Sequence, residues 1–213
     1  QALALDRVLV VAGAGNANRV ASVNMSLGGL GPFASNCDAA DAARKTAIDN
    51  LLSVGIATAI ASGNNGFTTG VSSPACISTA VSVGSTTKTD LMSGFTNRFP
   101  GMVDLLAPGS SINASLPGNT FGLMSGTSMA APHVAGAWAV LKQALPGASV
   151  TQVLTALQST GQVIGDAASG GSYPRINVNA ARLALLGGGT SVPGPPGTPT
   201  ITGAGNSVNI NWT

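Results

Sequence analysis

The residues best suited to chemistry form one uninterrupted string, Gly126-Thr127-Ser128-Met129-Ala130-Ala131-Pro132-His133-Val134-Ala135-Gly136. Ser128 stands where a long helix is predicted to begin, so unpaired backbone N–H groups and the positive end of the helix dipole lie beside its hydroxyl. Small residues on both sides leave room for a substrate backbone. The pattern predicts a nucleophilic serine for acyl transfer. The alternative is a simple N-cap, the usual role of an isolated serine before a helix.

Three other segments carry recognisable patterns. Ala61-Ser62-Gly63-Asn64-Asn65-Gly66 follows a predicted strand, and taken alone it is typical of a turn. Val23-Asn24-Met25-Ser26-Leu27-Gly28-Gly29 is a predicted strand that runs into a glycine pair. Val103-Asp104-Leu105-Leu106-Ala107-Pro108-Gly109 is a predicted strand that ends in a turn.

These four segments, in their order along the chain, resemble the catalytic domain of the subtilisin family of serine proteases. The resemblance extends from about Gln1 to Gly187, and the string around Ser128 matches the family motif at all eleven positions. It implies a serine endopeptidase in which Ser128 is the nucleophile. It also implies that Asn64 and the backbone N–H of Ser128 bind the oxyanion.

The resemblance further implies a substrate groove for a peptide or protein, paired as an added strand. One wall of its specificity pocket would be Ser26, Leu27 and Gly28, and the other would be Ala61, Ser62 and Gly63. The segment 73–75 resembles the rim of the same pocket.

The chain has two cysteines, Cys37 and Cys76. From the residues alone, one disulfide and two free buried thiols both remain open. The resemblance places Cys76 near the loop that bears Cys37, which implies a Cys37–Cys76 disulfide.

No cofactor is expected for the chemistry itself. In relatives such as proteinase K, the aspartate that matches Asp104 binds calcium together with two backbone carbonyls. The corresponding oxygen set here is Asp104 with the carbonyls of Ser78 and Ala80, which implies a possible structural calcium site. A carboxylate at a strand end without an ion is the alternative.

The family places its catalytic aspartate and a His-Gly-Thr-His segment before the Val23–Gly29 strand, and residues 1–22 contain neither segment.

The single histidine, His133, lies five positions after Ser128, so on a helix it points well around from the hydroxyl. The resemblance gives it a helix-packing role. The aspartates at positions 6, 38, 41 and 49 match no family motif and are predicted to be solvated or capping residues. We therefore expect the later portion of a parent protease's catalytic domain, with little activity by itself.

The elements that must position these residues alternate between strand and helix. Strands are predicted at 19–25, 56–61, 81–84 and 103–107, and helices at 38–53, 127–145, 150–159 and 179–186. Residues 2–11 suit either a helix or a buried strand. The alternation predicts an α/β fold, and the resemblance specifies a partial three-layer subtilisin-like fold with a mainly parallel sheet.

The composition changes abruptly after Gly187. Residues 188–200 are a predicted Pro/Gly linker, and residues 201–213 alternate polar and apolar positions as a half-buried strand does. This tail resembles the beginning of a fibronectin type III module and ends before such a module could close. We therefore predict a catalytic-domain portion at 1–187 and a truncated β tail at 201–213.

Charged residues make up only 8% of the chain, the formal net charge is +2, and no basic cluster is present. Nucleic acid is therefore not an expected partner. Apolar stretches are too short for a membrane span, so no membrane association is expected. A secreted, extracellular bacterial enzyme that works as a monomer is the expectation drawn from the resemblance, the low charge and the possible disulfide.

Three alternatives remain. A dinucleotide-binding fold would use Gly13 and Gly15, but the third glycine of that fingerprint is absent and the fold needs a strand at residues 8–11. An α/β-hydrolase elbow would need glycine at Ala130. The alternative of a different class is a non-catalytic peptide-binding fragment or pseudoprotease.

Overall fold

Helices and strands alternate along the computed structural model, which describes residues 1–187, 200–204 and 207–211. The helices are α1 (Ala2–Ala12), α2 (Ala42–Ser53), α3 (Thr127–Ala144), α4 (Val150–Thr160) and α5 (Val178–Leu185). The strands of the main part are β1 (Ser22–Met25), β2 (Ala57–Ala61), β3 (Val81–Thr86), β4 (Leu105–Pro108), β5 (Ile112–Leu116), β6 (Thr120–Met124), β7 (Gln162–Asp166) and β8 (Gly171–Arg175).

Six strands form one sheet in the order β1-β2-β3-β4-β8-β7. All neighbouring pairs from β1 to β8 in this order are parallel, and only β7 runs antiparallel to its neighbour β8. The predicted mainly parallel sheet is confirmed. Because parallel strands end at the same edge, the loops after β1 and β2 meet there.

Helices cover both faces of this sheet, which gives the three predicted layers. Ala57, Ala59 and Ala61 of β2 pack against α3, where Trp138 and Leu141 are fully buried. On the opposite face, α2 packs against β2 and α1 packs against α2, within one shared core. None of the described helices has the length and hydropathy that a membrane span requires.

Residues 2–11, whose pattern suited either a helix or a strand, form α1. Leu5 and Ala12 are buried, and Ala2, Val8 and Leu9 are partly buried against the same core. This spacing is that of one helix face. A helix here excludes the dinucleotide-binding alternative, which needs a strand.

Helix α2 begins at Ala42, not at Asp38 as predicted. Asp38 does not cap the helix because its carboxylate accepts hydrogen bonds from the backbone N–H and the hydroxyl of Ser78, at 2.9 and 2.7 Å. The local pattern predicted Asp38 as a helix cap, but its carboxylate instead bonds to Ser78, which is 40 positions away.

The predictions for α3, α4 and α5 are correct within two residues. At α4 the predicted capping box is present, since the Ser149 hydroxyl accepts from the Gln152 N–H and the Gln152 side chain accepts from the Ser149 N–H. Both bonds satisfy N–H groups that the first helical turn leaves unpaired.

Two hairpins, β5–β6 and β7–β8, were not predicted. In β6 the apolar side chains of Phe121 and Leu123 are 73% and 70% exposed. The pairing is held by backbone hydrogen bonds between antiparallel strands rather than by burial of one face. Because β6 does not bury one apolar face, it lacks the alternation of buried and exposed residues that is typical of a half-buried strand.

Two short strands follow residue 199, β9 (Thr200–Ala204) and β10 (Ser207–Asn211), and they pair antiparallel with each other. The strand predicted in the tail thus exists. The fibronectin-like character of the tail remains a prediction, and the linker at 188–199 lies outside the described residues.

Cys37 and Cys76 form a disulfide, as the family resemblance implied, with their Cα atoms 5.4 Å apart. The Cys37 N–H also donates to the Cys76 carbonyl at 3.0 Å. The two cysteines are 39 positions apart. By the chain-entropy account, a loop of this size stabilises the fold by about 3 to 4 kcal/mol.

The buried ion pair of Arg98 and Asp166 ties the loop after β3 to the end of β7. The guanidinium donates two bonds to the carboxylate, at 2.9 and 3.1 Å, and the side chains are only 8% and 11% exposed. Hydrogen bonding from Arg98 lowers the pKa of Asp166 to about 2. The pair therefore contributes stability at neutral pH that protonation removes.

We expect Asp166→Asn to lower the free energy of unfolding by roughly 3 kcal/mol at neutral pH, because Arg98 is left buried without its counterion. The folded-state pKa lies below the unfolded value, so the difference between wild type and variant should persist above about pH 4. It should shrink as the pH falls from 4 towards 2. Urea unfolding at several pH values measures this.

The matched control is Asp90→Asn, which breaks the more exposed pair of Asp90 and Arg175. This change should cost less than about 1 kcal/mol. Two outcomes would contradict a stabilising role for the buried ion pair. One is an equal loss of unfolding free energy in Asp166→Asn and Asp90→Asn. The other is a difference between wild type and Asp166→Asn that does not change with pH.

Candidate active site

A cavity of about 270 Å³ opens where β1, β2 and the start of α3 meet, at the carboxyl edge of the sheet. Apart from Leu27, its lining consists of small or polar residues: Gly28, Gly29, Ala61, Gly63, Asn64, Asn65, Ser72, Thr127 and Ser128. The two side chains that the sequence placed at the centre of the chemistry, Ser128 and Asn64, therefore face the same space.

Ser128 is the second residue of α3, and its hydroxyl does not cap the helix. The N-cap is Gly126, which has no side chain to offer. The Ser128 Oγ instead lies 3.4 Å from the carbonyl oxygen of Ser26, and the Ser26 hydroxyl donates to the Ser128 carbonyl at 2.6 Å. The N-cap alternative for Ser128 is therefore wrong in this structure.

Asn64 provides the cap that Gly126 lacks. Its Oδ1 accepts from the Thr127 N–H at 2.8 Å and from the Thr127 hydroxyl at 2.9 Å. A backbone N–H can only donate, so the amide oxygen must be the atom that faces Thr127. The Nδ2 donor of Asn64 is consequently directed away from Thr127, and Asn64 lines the same cavity as Ser128.

The loop that carries Asn64 depends on a glycine. Gly63 has φ +112°, a conformation that side chains rarely adopt, and a Cβ there would lie 2.2 Å from Nδ2 of Asn97. The Gly63 N–H also lies 3.2 Å from the Thr127 hydroxyl oxygen, which accepts its hydrogen bond. Another residue at this position would displace the loop from α3.

Asn97 was missed by the sequence analysis. It is fully buried, and its Oδ1 accepts from the N–H groups of Asn65 and Phe67, at 2.8 and 3.1 Å. Its own N–H donates to the Gly63 carbonyl at 3.0 Å. Asn97 thus holds three residues of the loop, two through its side chain and one through its backbone N–H. No local pattern around Asn97 marks it for this role.

The six residues predicted to form the pocket walls divide into two groups. Leu27, Gly28, Ala61 and Gly63 line the cavity, whereas Ser26 and Ser62 are not among the lining residues. Ser26 contacts Ser128 from the side, as described above. Ser62 is fully buried, and its hydroxyl has no hydrogen-bond partner in the described part of the chain.

The cavity lacks an ionisable side chain among its lining residues. His133 is exposed rather than packed in the core, which corrects the helix-packing expectation. Its Nδ1 lies 2.7 Å from the Met129 carbonyl on its own helix. The described site therefore presents a hydroxyl and an amide donor without a neighbouring base.

A larger cavity, of about 510 Å³, lies at the opposite edge of the sheet, where Val20, Ala21 and Val54 precede the strands. Its polar lining includes Arg19 and Lys142 but no serine, threonine or cysteine. Its volume favours this cavity as a binding site, whereas the Ser128 hydroxyl and the Asn64 amide favour the smaller cavity as the active site. We assign the site to the smaller cavity because ligands of parallel sheets bind at the carboxyl edge.

Asp104 lies just before β4 and is partly buried. Its Oδ2 accepts from the Ser82 N–H at 2.7 Å. Burial raises the pKa of Asp104 to about 6, and the Ser82 hydrogen bond only partly offsets this. The buried hydroxyl of Ser82 has no hydrogen-bond partner in the part of the chain that is described. A desolvated carboxylate is a group that could hold a hard cation.

Comparison with known proteins gives a consistent picture. The family model of the subtilase family, peptidase S8, matches residues 4–205. Subtilisin E of Bacillus subtilis is 38% identical over 167 residues, which is 77% of this chain and 41% of that protein. An extracellular serine proteinase of a Thermus species is 39% identical over 64% of this chain and 32% of that protein. The chain thus spans well under two thirds of these relatives.

Solved structures agree with the sequences. A cold-adapted subtilisin-like serine proteinase superposes with a TM-score of 0.66 at 33% identity, over 82% of this chain and 59% of that chain. The patellamide maturation protease PatA superposes with a TM-score of 0.72 at 27% identity, over 88% of this chain and 68% of that chain. The fold, the sequence motifs and the family match agree, and the chain belongs to the subtilase family.

Proposed function

We propose that the protein to which this chain belongs hydrolyses peptide bonds by acyl transfer to Ser128. The observation that carries the proposal is that the hydroxyl of Ser128 and the amide of Asn64 face one cavity, held there by Thr127. The curated relatives are subtilisins and an extracellular serine proteinase, which supports the same chemistry.

In this mechanism the Ser128 Oγ attacks the carbonyl carbon of the scissile bond, and its proton passes to a histidine base. The carbonyl oxygen becomes an oxyanion that accepts hydrogen bonds from Nδ2 of Asn64 and the N–H of Ser128. The proton is then given to the leaving amine, which departs as the C–N bond breaks. Water hydrolyses the resulting ester in a second, equivalent round.

The base and its aspartate would come from residues other than those that line the cavity. His133 is unsuitable, because it lies on the next turn of α3 with its Nδ1 against the Met129 carbonyl. In relatives of this family these groups precede the strand that corresponds to β1. Residues 1–213 would then supply the nucleophile, the oxyanion donors and part of the substrate groove.

We propose that the substrate is a peptide or protein bound in an extended conformation along residues 26–28. Apart from Leu27, the lining residues are small or polar, so backbone contacts would dominate recognition there. Ala61 and Gly63 lie in the opposite wall, where a substrate side chain would enter between the two segments. The groove holds the scissile carbonyl against Ser128.

A second candidate function is peptide binding without catalysis. The observation that favours it is the absence of an ionisable side chain among the residues that line the described cavity. An unactivated serine hydroxyl is a weak nucleophile at neutral pH. Residues 1–213 alone would then bind peptides and hydrolyse few of them.

We also propose a structural calcium site at Asp104, with the carbonyl oxygens of Ser78 and Ala80 as further ligands. The raised pKa of Asp104 and the unpartnered hydroxyl of Ser82 are consistent with an ion that neutralises this carboxylate. The ion would stabilise the loop before β3 and would take no part in the chemistry.

Secretion is proposed on the basis of the disulfide and the extracellular relative.

In the full-length protein, we expect Ser128→Ala to abolish hydrolysis and labelling by a fluorophosphonate reagent. We expect Asn64→Ala to lower kcat by roughly 10² to 10³ with little change in KM. That magnitude is the known effect of losing the corresponding donor in a subtilisin, not a value derived from this geometry. Asn113→Ala, at an exposed position of β5 that does not line the cavity, is the control and should retain most of kcat. Hydrolysis that survives Ser128→Ala would refute the proposal.

For residues 1–213 alone, we expect little or no peptidase activity, because no base lies beside Ser128 in the described part of the chain. A sensitive fluorogenic peptide assay measures this. Turnover by the purified chain that disappears on Ser128→Ala would show that a base is present and would contradict this expectation.

For the calcium site, we expect millimolar calcium to raise the Tm of the wild-type chain relative to the same chain in chelator. Asp104→Asn keeps an oxygen that can accept from Ser82 but loses the charge, so the calcium response should largely disappear. Asp90→Asn is the control and should respond like the wild type. A calcium response of equal size in wild type and Asp104→Asn would exclude the site.

A further inference from the structure

Asp41 occupies the N-cap position of α2, yet its carboxylate makes no capping hydrogen bond. It accepts instead from Nε of Arg44 at 2.5 Å and from the hydroxyl of Ser73 at 2.7 Å. The Asp41 side chain is only 9% exposed. An N-cap aspartate ordinarily caps its helix. The bonds to Arg44 and Ser73 that replace the cap therefore indicate that Asp41 has another structural role.

Arg44 completes this arrangement from the first turn of α2. Its Nη2 donates to the Ser73 hydroxyl oxygen at 3.1 Å, while its Nε bonds to Asp41. The Ser73 hydroxyl is thus held between a carboxylate that accepts its hydrogen bond and a guanidinium that donates to its oxygen. We call Asp41, Arg44 and Ser73 the Ser73 clamp.

The backbone of Ser73 connects this clamp to the cavity wall. Its N–H donates to the Leu30 carbonyl at 2.7 Å, and its carbonyl accepts from the Gly29 N–H at 2.9 Å. Ser72 and Gly29 both line the cavity. The segments 28–31 and 71–73 therefore form one paired wall, and Ser73 is the residue whose side chain links that wall to α2.

The paired wall leaves little space for independent movement. A Cβ on Gly31 would lie 3.0 Å from the Val71 carbonyl, and a Cβ on Gly28 would lie 3.6 Å from the Ser72 Cβ. At the far end, the segments are joined by the Cys37–Cys76 disulfide. A shift of Ser73 would move Gly28 and Gly29 with it.

We infer that Asp41 and Arg44 are positioning residues that hold the peptide-binding wall in place through the Ser73 hydroxyl. The inference deepens the proposed function, because the paired wall continues the segment 26–28 along which the substrate would lie, and it depends on that function for its biological meaning. Neither residue contacts the substrate. Their effect is on the affinity for an extended peptide, not on the reactivity of Ser128.

The test uses residues 1–213 with Ser73→Ala, which breaks the clamp but keeps the Asp41–Arg44 pair, and with Asp41→Ala. Asp49→Ala is the matched control, because Asp49 also lies in α2 and also binds a cation, Lys45, and a hydroxyl, Thr79. Thr79 does not line the cavity.

Amide hydrogen exchange followed by NMR reads the wall directly. The N–H groups of Gly29 and residue 73 should exchange about tenfold faster in Ser73→Ala and Asp41→Ala, the effect of losing one charge-assisted hydrogen bond. The Ser62 N–H, bonded to Val83 in the sheet, and all wall amides of Asp49→Ala should keep wild-type rates. Unchanged wall amides, or equal acceleration of wall and sheet amides, would overturn the inference.

Binding of a fluorescein-labelled Ala-Ala-Pro-Phe peptide, followed by anisotropy, tests the consequence. The Kd should rise about tenfold in Ser73→Ala and in Asp41→Ala, and the double variant should be no weaker than either single one. Equal Kd values in wild type and variants would overturn the inference. If the wild type binds no peptide, the proposal that residues 1–213 alone bind peptides fails, while the exchange rates still decide whether the clamp holds the wall.

Discussion

The site depends on one interaction between segments 63 positions apart, the hydrogen bonds from the Thr127 N–H and hydroxyl to Oδ1 of Asn64. Helix α3 starts at a glycine N-cap and lacks a cap of its own, so it takes one from the loop after β2. The bond that stabilises the helix start also fixes the orientation of the Asn64 amide. The same hydrogen bonds therefore stabilise the start of α3 and orient the Asn64 side chain near Ser128.

The residues around this interaction restrict the conformation of the loop that carries Asn64. Gly63 adopts a conformation that only glycine readily takes, and the buried Asn97 binds the loop on its other side. Across the cavity, Ser73 ties the second wall to α2. The parallel sheet brings these loops to one edge, and the polar bonds between them set the positions of individual atoms.

The sequence predicted what depends on local chemistry and on long motifs. The strand–helix alternation and the capping box at Ser149 were anticipated, because each has a pattern readable within a few residues. The proximity of Ser128 to Asn64 was expected only from the resemblance to the subtilisin family. The roles of Asp38, Asp41 and Asn97 were not. Each of these side chains bonds to a backbone or hydroxyl group in another segment, and no spacing rule encodes such partners. The exposed hairpin β5–β6 escaped for a related reason, since it buries no regular face.

The central claim is that Asn64 and Ser128 act on one carbonyl oxygen. The most direct measurement is a crystal structure of the full-length protein after reaction with diisopropyl fluorophosphate. The account predicts phosphorus bonded to the Ser128 Oγ and its oxygen about 3 Å from both Nδ2 of Asn64 and the Ser128 N–H. A modified Ser128 whose phosphoryl oxygen lies more than about 4 Å from Nδ2, beyond hydrogen-bond reach, would contradict it.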